Sequence, residues 1–285
     1  MGLFRLERFR MPELPEVQTV VDDLNKAGLV GDTVEEVLCF WKKSLHGISV
    51  QSCNKRLKGK KVIRIWRRAK NIVFDFSEAE HLVIHLRMTG RLHIVSDKEP
   101  VKKHEHVVFK FKKSGELRFH DTRKFGRIYC VSDLNSFFVK TGIEPFDKSL
   151  TEKVFFKMVQ SKKRIIKPLL LDQSFIAGLG NIYVDEALWE AKIHPKRIAS
   201  DINKEEAKCL LKAIRTVLKR GLRNMGTTLG SGKGNFYSVA NRRGQNAEAL
   251  NVFRRNGLPC SRCGNIIERT VVGQRGTHIC GKCQY

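Results

Sequence analysis

Short apolar runs separated by turn residues fill the first half of the chain. VEEVLCF, KKVIRIW, NIVFDF, HLVIHLRM, RLHIV, HVVFKF and GRIYCV follow one another between residues 34 and 131. Runs of this length, rich in β-branched and aromatic residues and bounded by turns, predict strands, and several in succession predict a sandwich of two sheets or a barrel. The opening segment PELPEVQTVVDDLNKAG breaks that pattern. Pro12 stands where a helix start tolerates a missing N–H, Glu13 and Glu16 suit the positive N-terminal end, and Val17, Val20, Val21 and Leu24 recur at helical spacing. A helix ending near Gly28 is expected.

After the linker-like GIEPFDKSL the period turns helical, in TEKVFFKMVQ, FIAGLGNIYVDEALWEA and KEEAKCLLKAIRTVLKRGL. Gly178, Gly180 and Asn181 interrupt one of these segments with a tight turn of the kind that lets backbone approach a phosphate. From Gly226 to Asn251 the chain is rich in Gly and Asn and reads as a mobile loop. The class is therefore α+β: a helix plus β-sandwich in residues 11–140, a linker in 141–150, a helical region in 151–250 and a cysteine-bearing segment in 251–285, with residues 1–10 as an extension.

Charge changes the picture more than length does. Across 285 residues, 54 Lys and Arg oppose 29 Asp and Glu, a formal charge of +25 spread along the chain. A polyanion is the natural partner, because neutralising phosphates releases condensed counterions. The competing reading is a basic protein of the translation apparatus or a merely well-solvated one. No run of about 18 apolar residues is present to span a bilayer, and residues 1–10 lack the apolar centre of a signal peptide. The expectation is a soluble, cytoplasmic protein. Cys39, Cys53, Cys130 and Cys209 are scattered and read as reduced filler, which suits a reducing compartment.

The other four cysteines form the sharpest local motif. Cys260 and Cys263 are two residues apart, sixteen residues follow, and Cys280 and Cys283 repeat the spacing, with Gly264 and Gly281 each placed to allow the tight knuckle turn. Four thiolates so spaced satisfy tetrahedral zinc and leave no open position, so one structural Zn2+ is expected to organise a β-hairpin. Gln274 and Arg275 fall at its tip, either as a basic finger in a DNA groove or as a solvated turn.

Read together, PELPEV, RRAKNIVFDF, HLRMTG, HEHVVF, DTRKFGRI, IKPLL, GLGNIYVDEAL, IHP, MGTTL and VVGQRGTHICGKCQ resemble, in order and spacing, the bacterial formamidopyrimidine-DNA glycosylase family, from Met11 to the end. The resemblance implies a helix-two-turn-helix domain with a zinc hairpin. It also implies excision of oxidised purines, formamidopyrimidine and 8-oxoguanine, from duplex DNA by a monomer. Pro12 matches the nucleophile, a secondary amine that attacks C1′, and Glu13 the acid that assists ring opening and proton shuttling. Glu16 is better read as a structural residue of the helix start. Lys70 matches a lysine that contacts phosphate and aids β-elimination. Met88, Arg123 and Phe125 match the set that fills the gap left by an extruded nucleotide. His104, Lys162, Asn181 and Arg275 match backbone contacts, with Arg275 also expected to assist δ-elimination.

Two features depart from the family pattern. An internal proline nitrogen is an amide without a free lone pair, so Pro12 chemistry requires the ten residues before Met11 to be absent or removed, and Met11 itself to be trimmed. Met11 is the expected start; retention of residues 1–10 gives a catalytically silent zinc-finger DNA-binding protein instead. The stretch GSGKGNFYSVANRRGQN does not match the expected lesion-capping loop, which leaves open the balance between 8-oxoguanine and formamidopyrimidine.

Overall fold

The computed structural model describes residues 11–230 and 236–285. The ten-residue extension and residues 231–235 of the expected loop lie outside the described residues. Two compact units emerge: the described residues up to Val139 together with Met225–Gln245, and Lys140–Asn224 together with Asn246–Tyr285.

In the first unit, α1 (Leu14–Lys26) begins two residues after Pro12. Pro15, in the first turn, takes the tolerant position that the sequence suggested for Pro12, and the Glu16 carboxylate accepts the Glu13 N–H at 2.9 Å. The strands are β1 (Val34–Cys39), β2 (Val62–Arg68), β3 (Asn71–Phe76), β4 (His81–His85), β5 (Gly90–Val95), β6 (Glu105–Phe111), β7 (Gly115–Asp121) and β8 (Arg127–Val131). Two short helices, α2 (Val50–Leu57) and α3 (Leu134–Phe138), join them. Antiparallel pairing gives two four-stranded sheets, β1-β6-β7-β5 and β2-β3-β4-β8.

One apolar core lies between the sheets and under α1, built from Val17, Leu24, Phe74, Ile84, Phe109 and Phe119 among others. Each such side chain stabilises the fold by about 1.5–3 kcal/mol relative to exposure. Strand β7 is absent from the hydrophobic pattern because its outer face carries charge: Arg118, 1% exposed, donates to Glu116 at 2.8 Å and Glu105 at 2.9 Å. A buried, fully paired cation is compatible with a central strand, but apolar periodicity does not reveal it.

The second unit contains α4 (Glu152–Gln160), α5 (Ile166–Leu171), α6 (Asn181–Glu190), α7 (Lys204–Arg223) and the hairpin β9 (Glu268–Val272) and β10 (Arg275–Ile279). The segment before α6 is a turn rather than helix, since Gly178 takes φ +87° and the helix starts only at Asn181. A Cβ on Gly221 would stand 2.5 Å from Tyr183 Oη, so the glycine permits close approach of α6 and α7. The described part of the 226–251 stretch is more ordered than expected, with bridges Thr227–Gln245 and Tyr237–Arg243. Among the described residues no helix is long and apolar enough to cross a membrane.

Candidate active site

Strand register brings most of the candidate residues of the first unit to one end of the sandwich. Arg68, Asn71, His85 and Arg127 lie in one row across β2, β3, β4 and β8, while Gly90 pairs with Asp121 and Glu105 with His120 in the other sheet. The connections at these strand ends carry Lys70 after β2, Met88 between β4 and β5, His104 before β6, and Arg123 and Phe125 between β7 and β8. Lys70 is 8% exposed and adds its charge to that of Arg87 beside His85. Burial first, and then these two cations, push the His85 imidazole down to about 3, so it stays neutral in a basic setting.

Met88, Arg123 and Phe125 meet. The Arg123 guanidinium donates to Met88 Sδ at 3.4 Å and sits 4.6 Å from the centroid of the Phe125 ring, which is 44% exposed. Beneath them lies Asp121, with no exposed surface. Its Oδ1 accepts from the Thr89 hydroxyl and from Arg123 N–H at 3.2 Å, and its Oδ2 accepts Gly126 N–H at 2.7 Å. Its main chain accepts from His106 Nε2 at 2.8 Å and donates to the His104 carbonyl at 2.9 Å. The His104 ring in turn packs edge-on to those of His106 and His120.

Pro12 is half-buried and lines a cleft with Met88, Thr89, Arg91, Phe236 and Tyr237. Glu13, 4% exposed, follows it. Arg91 lies over the Tyr237 ring at 5.0 Å. Helix α1 holds the loop that supplies Phe236 and Tyr237 at two points. Glu16 Oε1 accepts Thr227 N–H at 2.6 Å, where Gly226 at φ +80° leaves no room for a Cβ, which would stand 2.9 Å from Glu16. Asp23 accepts Ala240 N–H at 3.1 Å and pairs with Arg242. Glu16 is thus committed to structure, as expected, whereas Asp23 was not singled out from sequence.

In the second unit, Arg275 is exposed at a two-residue turn whose Gly273 and Gln274 both have positive φ, +55° and +61°, the geometry that matches strand twist. Three side chains fix the peptides beside Arg275. Asn181 Nδ2 donates to the Gly276 carbonyl at 2.9 Å, Thr277 Oγ1 to the Arg275 carbonyl at 2.9 Å, and the buried Lys167 ammonium to Thr277 Oγ1 at 2.8 Å. Lys167 also reaches Asp185 at 2.5 Å, and Asp185 accepts His278 N–H at 2.9 Å. Lys162 is exposed on the turn after α4.

Sequence reasoning missed Asp121, Thr89, Lys167 and Asp185 as determinants of this geometry. The available signal was a charged residue inside an otherwise apolar run, as in IKPLL and NIYVDEAL.

The four sulfurs of Cys260, Cys263, Cys280 and Cys283 lie within 4.8 Å of one another, with Cys260 to Cys283 at 3.9 Å and Cys263 to Cys280 at 3.4 Å. Tetrahedral zinc with Zn–S of about 2.3 Å needs sulfur separations of about 3.8 Å, so the set fits the ion. Burial opposes ionisation of Cys260, but N–H donors from Arg262 and Trp189 outweigh it and lower the thiol to about 6, whereas burial and the neighbouring thiols raise Cys280 and push Cys283 up to about 12. The four cysteines fit one structural zinc ion.

Three family models match the chain: the formamidopyrimidine-DNA glycosylase N-terminal domain over residues 11–128, the formamidopyrimidine-DNA glycosylase H2TH domain over 141–233, and a zinc finger found in FPG and IleRS over 257–284. The formamidopyrimidine-DNA glycosylase of Protochlamydia amoebophila is 45% identical over 274 residues, covering 96% of this chain and 99% of that protein. The Enterococcus faecalis protein of the same name is 40% identical over 278 residues, covering 96% and 97%. Among solved structures, the G226P mutant of Lactococcus lactis FPG in complex with DNA containing Fapy-dG superposes with TM-score 0.88 at 34% identity, covering 96% of this chain and 99% of that one. MutM in complex with DNA containing carbocyclic 8-oxo-G gives 0.86 at 34% identity, with the same coverage.

Proposed function

The chain belongs to the formamidopyrimidine-DNA glycosylase family, and from that premise we propose that the Pro12 amine is the nucleophile of the reaction it performs. The protein is a DNA glycosylase for oxidised purines in base excision repair, with the AP lyase activity typical of its family. The observation that carries the residue assignment is the placement of Pro12 on a cleft with Met88, Arg91 and Tyr237, followed at once by buried Glu13.

A free Pro12 nitrogen is a secondary amine of ordinary α-amino basicity, deprotonated in part near neutral pH. It attacks C1′ of the damaged nucleotide, the glycosidic bond breaks and the base leaves with its electron pair and a proton. Glu13 protonates the ring oxygen as the sugar opens to the iminium. Loss of a C2′ proton then expels the 3′ phosphate, a second elimination expels the 5′ phosphate, and water hydrolyses the iminium to release the sugar fragment and restore the Pro12 amine, leaving a one-nucleotide gap. Lys70 and Arg275 neutralise phosphates at these steps, and His104, Lys162 and Asn181 hold the flanking backbone. Met88, Arg123 and Phe125 occupy the space that the extruded nucleotide vacates: the ring and the thioether wedge into the stack and the guanidinium meets the orphaned base. The partner is damaged double-stranded DNA, bound by a monomer that acts in the cytoplasm at the nucleoid. The +25 charge supports that placement through salt-dependent phosphate binding.

The test is borohydride trapping on duplex carrying 8-oxoguanine or an abasic site. Protein that begins at Pro12 forms a covalent complex, and protein that retains residues 1–10 binds without trapping. A chain with a free Pro12 amine that neither traps nor cleaves would remove Pro12 from the reaction.

A further inference from the structure

We propose that Asp121 is a positioning residue for base extrusion, which sets the Met88, Arg123 and Phe125 side chains in their working arrangement without touching DNA. The inference rests on the reading of those three residues given above. They come from two separate connections, β4–β5 and β7–β8, and nothing in the local sequence of either fixes it against the other. Asp121 does. One carboxylate oxygen takes the Thr89 hydroxyl, one residue from Met88, and the Arg123 N–H; the other takes the Gly126 N–H, one residue from Phe125. Thr89 Oγ1 closes the ring by accepting the same Arg123 N–H at 3.1 Å. The His104 carbonyl on the Asp121 N–H ties in the third connection.

The wedge must push into stacked bases, which resist being unstacked. A side chain on a loose loop yields to that resistance, and misplacement by about 1 Å can cost about a hundredfold in rate. A carboxylate suits the task because all its donors are O–H or N–H groups and it presents acceptors in every direction. An asparagine at 121 keeps one oxygen only, so its amide NH2 faces either the Gly126 N–H, donor against donor, or the Arg123 N–H and the Thr89 hydroxyl, where only the hydroxyl can turn to accept it. Whichever way the amide turns, Asp121's charged hold on a backbone N–H, that of Gly126 or that of Arg123, is lost. Gly126 adds to the constraint, since a Cβ there would stand 2.3 Å from Phe119 and 3.2 Å from Asp121 Oδ2.

Asp121→Asn, Thr89→Val and Arg123→Ala are compared as zinc-loaded enzymes on two substrates, duplex with 8-oxoguanine and the same duplex with a preformed abasic site. The fluorescence of 2-aminopurine beside the lesion reports unstacking. An abasic site has no base to extrude, so it isolates the wedge from the later chemistry. Asp121→Asn is expected to slow base excision and the fluorescence rise by about tenfold or more, and Thr89→Val by about threefold, with abasic cleavage within about twofold of the parent. Thr89→Val decides the matter if Asp121→Asn does not fold. Normal excision by the Asp121 and Thr89 variants alongside slow excision by Arg123→Ala overturns the role of Asp121 alone. Normal excision by Arg123→Ala as well overturns the wedge reading itself. Equal loss on both substrates reduces Asp121 to general support of the fold and overturns the proposal.

Discussion

Each unit offers an arginine to solvent on a short turn, and each turn stands on a carboxylate with almost no exposed surface: Arg123 on Asp121 and Arg275 on Asp185. The mounts differ in what neutralises the carboxylate. Asp121 is held by a hydroxyl and two backbone N–H groups, whereas Asp185 is held by the Lys167 ammonium and the His278 N–H, next to a four-cysteine zinc site. The reason lies in what surrounds them. Arg123 projects from a sandwich whose strands are already fixed by a large core, so dipoles are enough to set the loops. Arg275 projects from a two-stranded hairpin, which is marginal alone and rests on a small apolar cluster with Trp189, Val252 and Ile267, so a full ion pair and a metal supply what a larger core would.

The largest expected effect tests the metal half of that contrast. Cys260→Ser, or removal of zinc by a chelator, should release the hairpin and lower cleavage of damaged duplex by at least about a hundredfold. The first unit should keep its secondary structure. Zinc stoichiometry, strand cleavage and the emission of Trp189, whose Nε1 lies 3.4 Å from Cys260 Sγ, report the change together. Full cleavage by zinc-free protein would show that the hairpin stands without the ion.

A second experiment weighs the two carboxylates against each other. Lys167→Met strands a buried Asp185 and should cost about 3–5 kcal/mol of stability, because an uncompensated buried charge is worse than an absent pair. Asp121→Asn removes part of a hydrogen-bonded set and should cost about 1–3 kcal/mol. Adding Asp185→Leu to Lys167→Met should restore part of the loss, since the stranded charge is then gone. Urea unfolding measures all three, and equal costs for the two single variants would erase the distinction between an ionic and a dipolar mount.

The same contrast explains what was legible in the sequence. Cysteine spacing disclosed the zinc site because ligand geometry is written in consecutive residues, and apolar alternation disclosed seven of the eight sandwich strands. It missed β7, whose Glu116 and Arg118 satisfy each other inside the fold. Arg275 was legible at the hairpin tip, whereas the run HLVIHLRM carried Met88 past the end of β4 and the helix-start position read for Pro12 is taken by Pro15. Asp121 and Asp185 stayed hidden because their partners come from distant segments, Thr89 from β4–β5 and Lys167 from α5, and no local pattern encodes such a meeting. Lys167 and Asp185 even fall within apolar helical runs, where a charge reads as a solvated face rather than as half of a buried pair.

The smallest predicted effect is on pH. Around the Arg123 mount, burial lowers the proton affinity of three histidines. His85 is pushed to about 3 with help from the charges of Arg87 and Lys70. His106 is lowered by burial and the Lys124 charge against the pull of the Asp121 carbonyl, and His120 by burial and the neighbouring His93 and Arg91. The second unit carries one such ring, His194. A histidine whose folded affinity is lowered binds fewer protons when folded than when unfolded, so its contribution is complete above the ordinary value of 6.5 and shrinks as pH falls below it. For His85 alone the loss at about pH 5.5 is about 1 kcal/mol, and it hardly depends on how far below 5 the folded value lies. Hydrogen exchange at about pH 7.5 and 5.5, corrected for the intrinsic rate, should show β4, β7 and β8 amides losing protection on acidification while α6 amides hold theirs. His85→Asn should flatten the change at β4 and β8. If protection in α6 falls as much as in the sandwich, the histidines do not distinguish the two mounts and the acid sensitivity belongs to the chain as a whole.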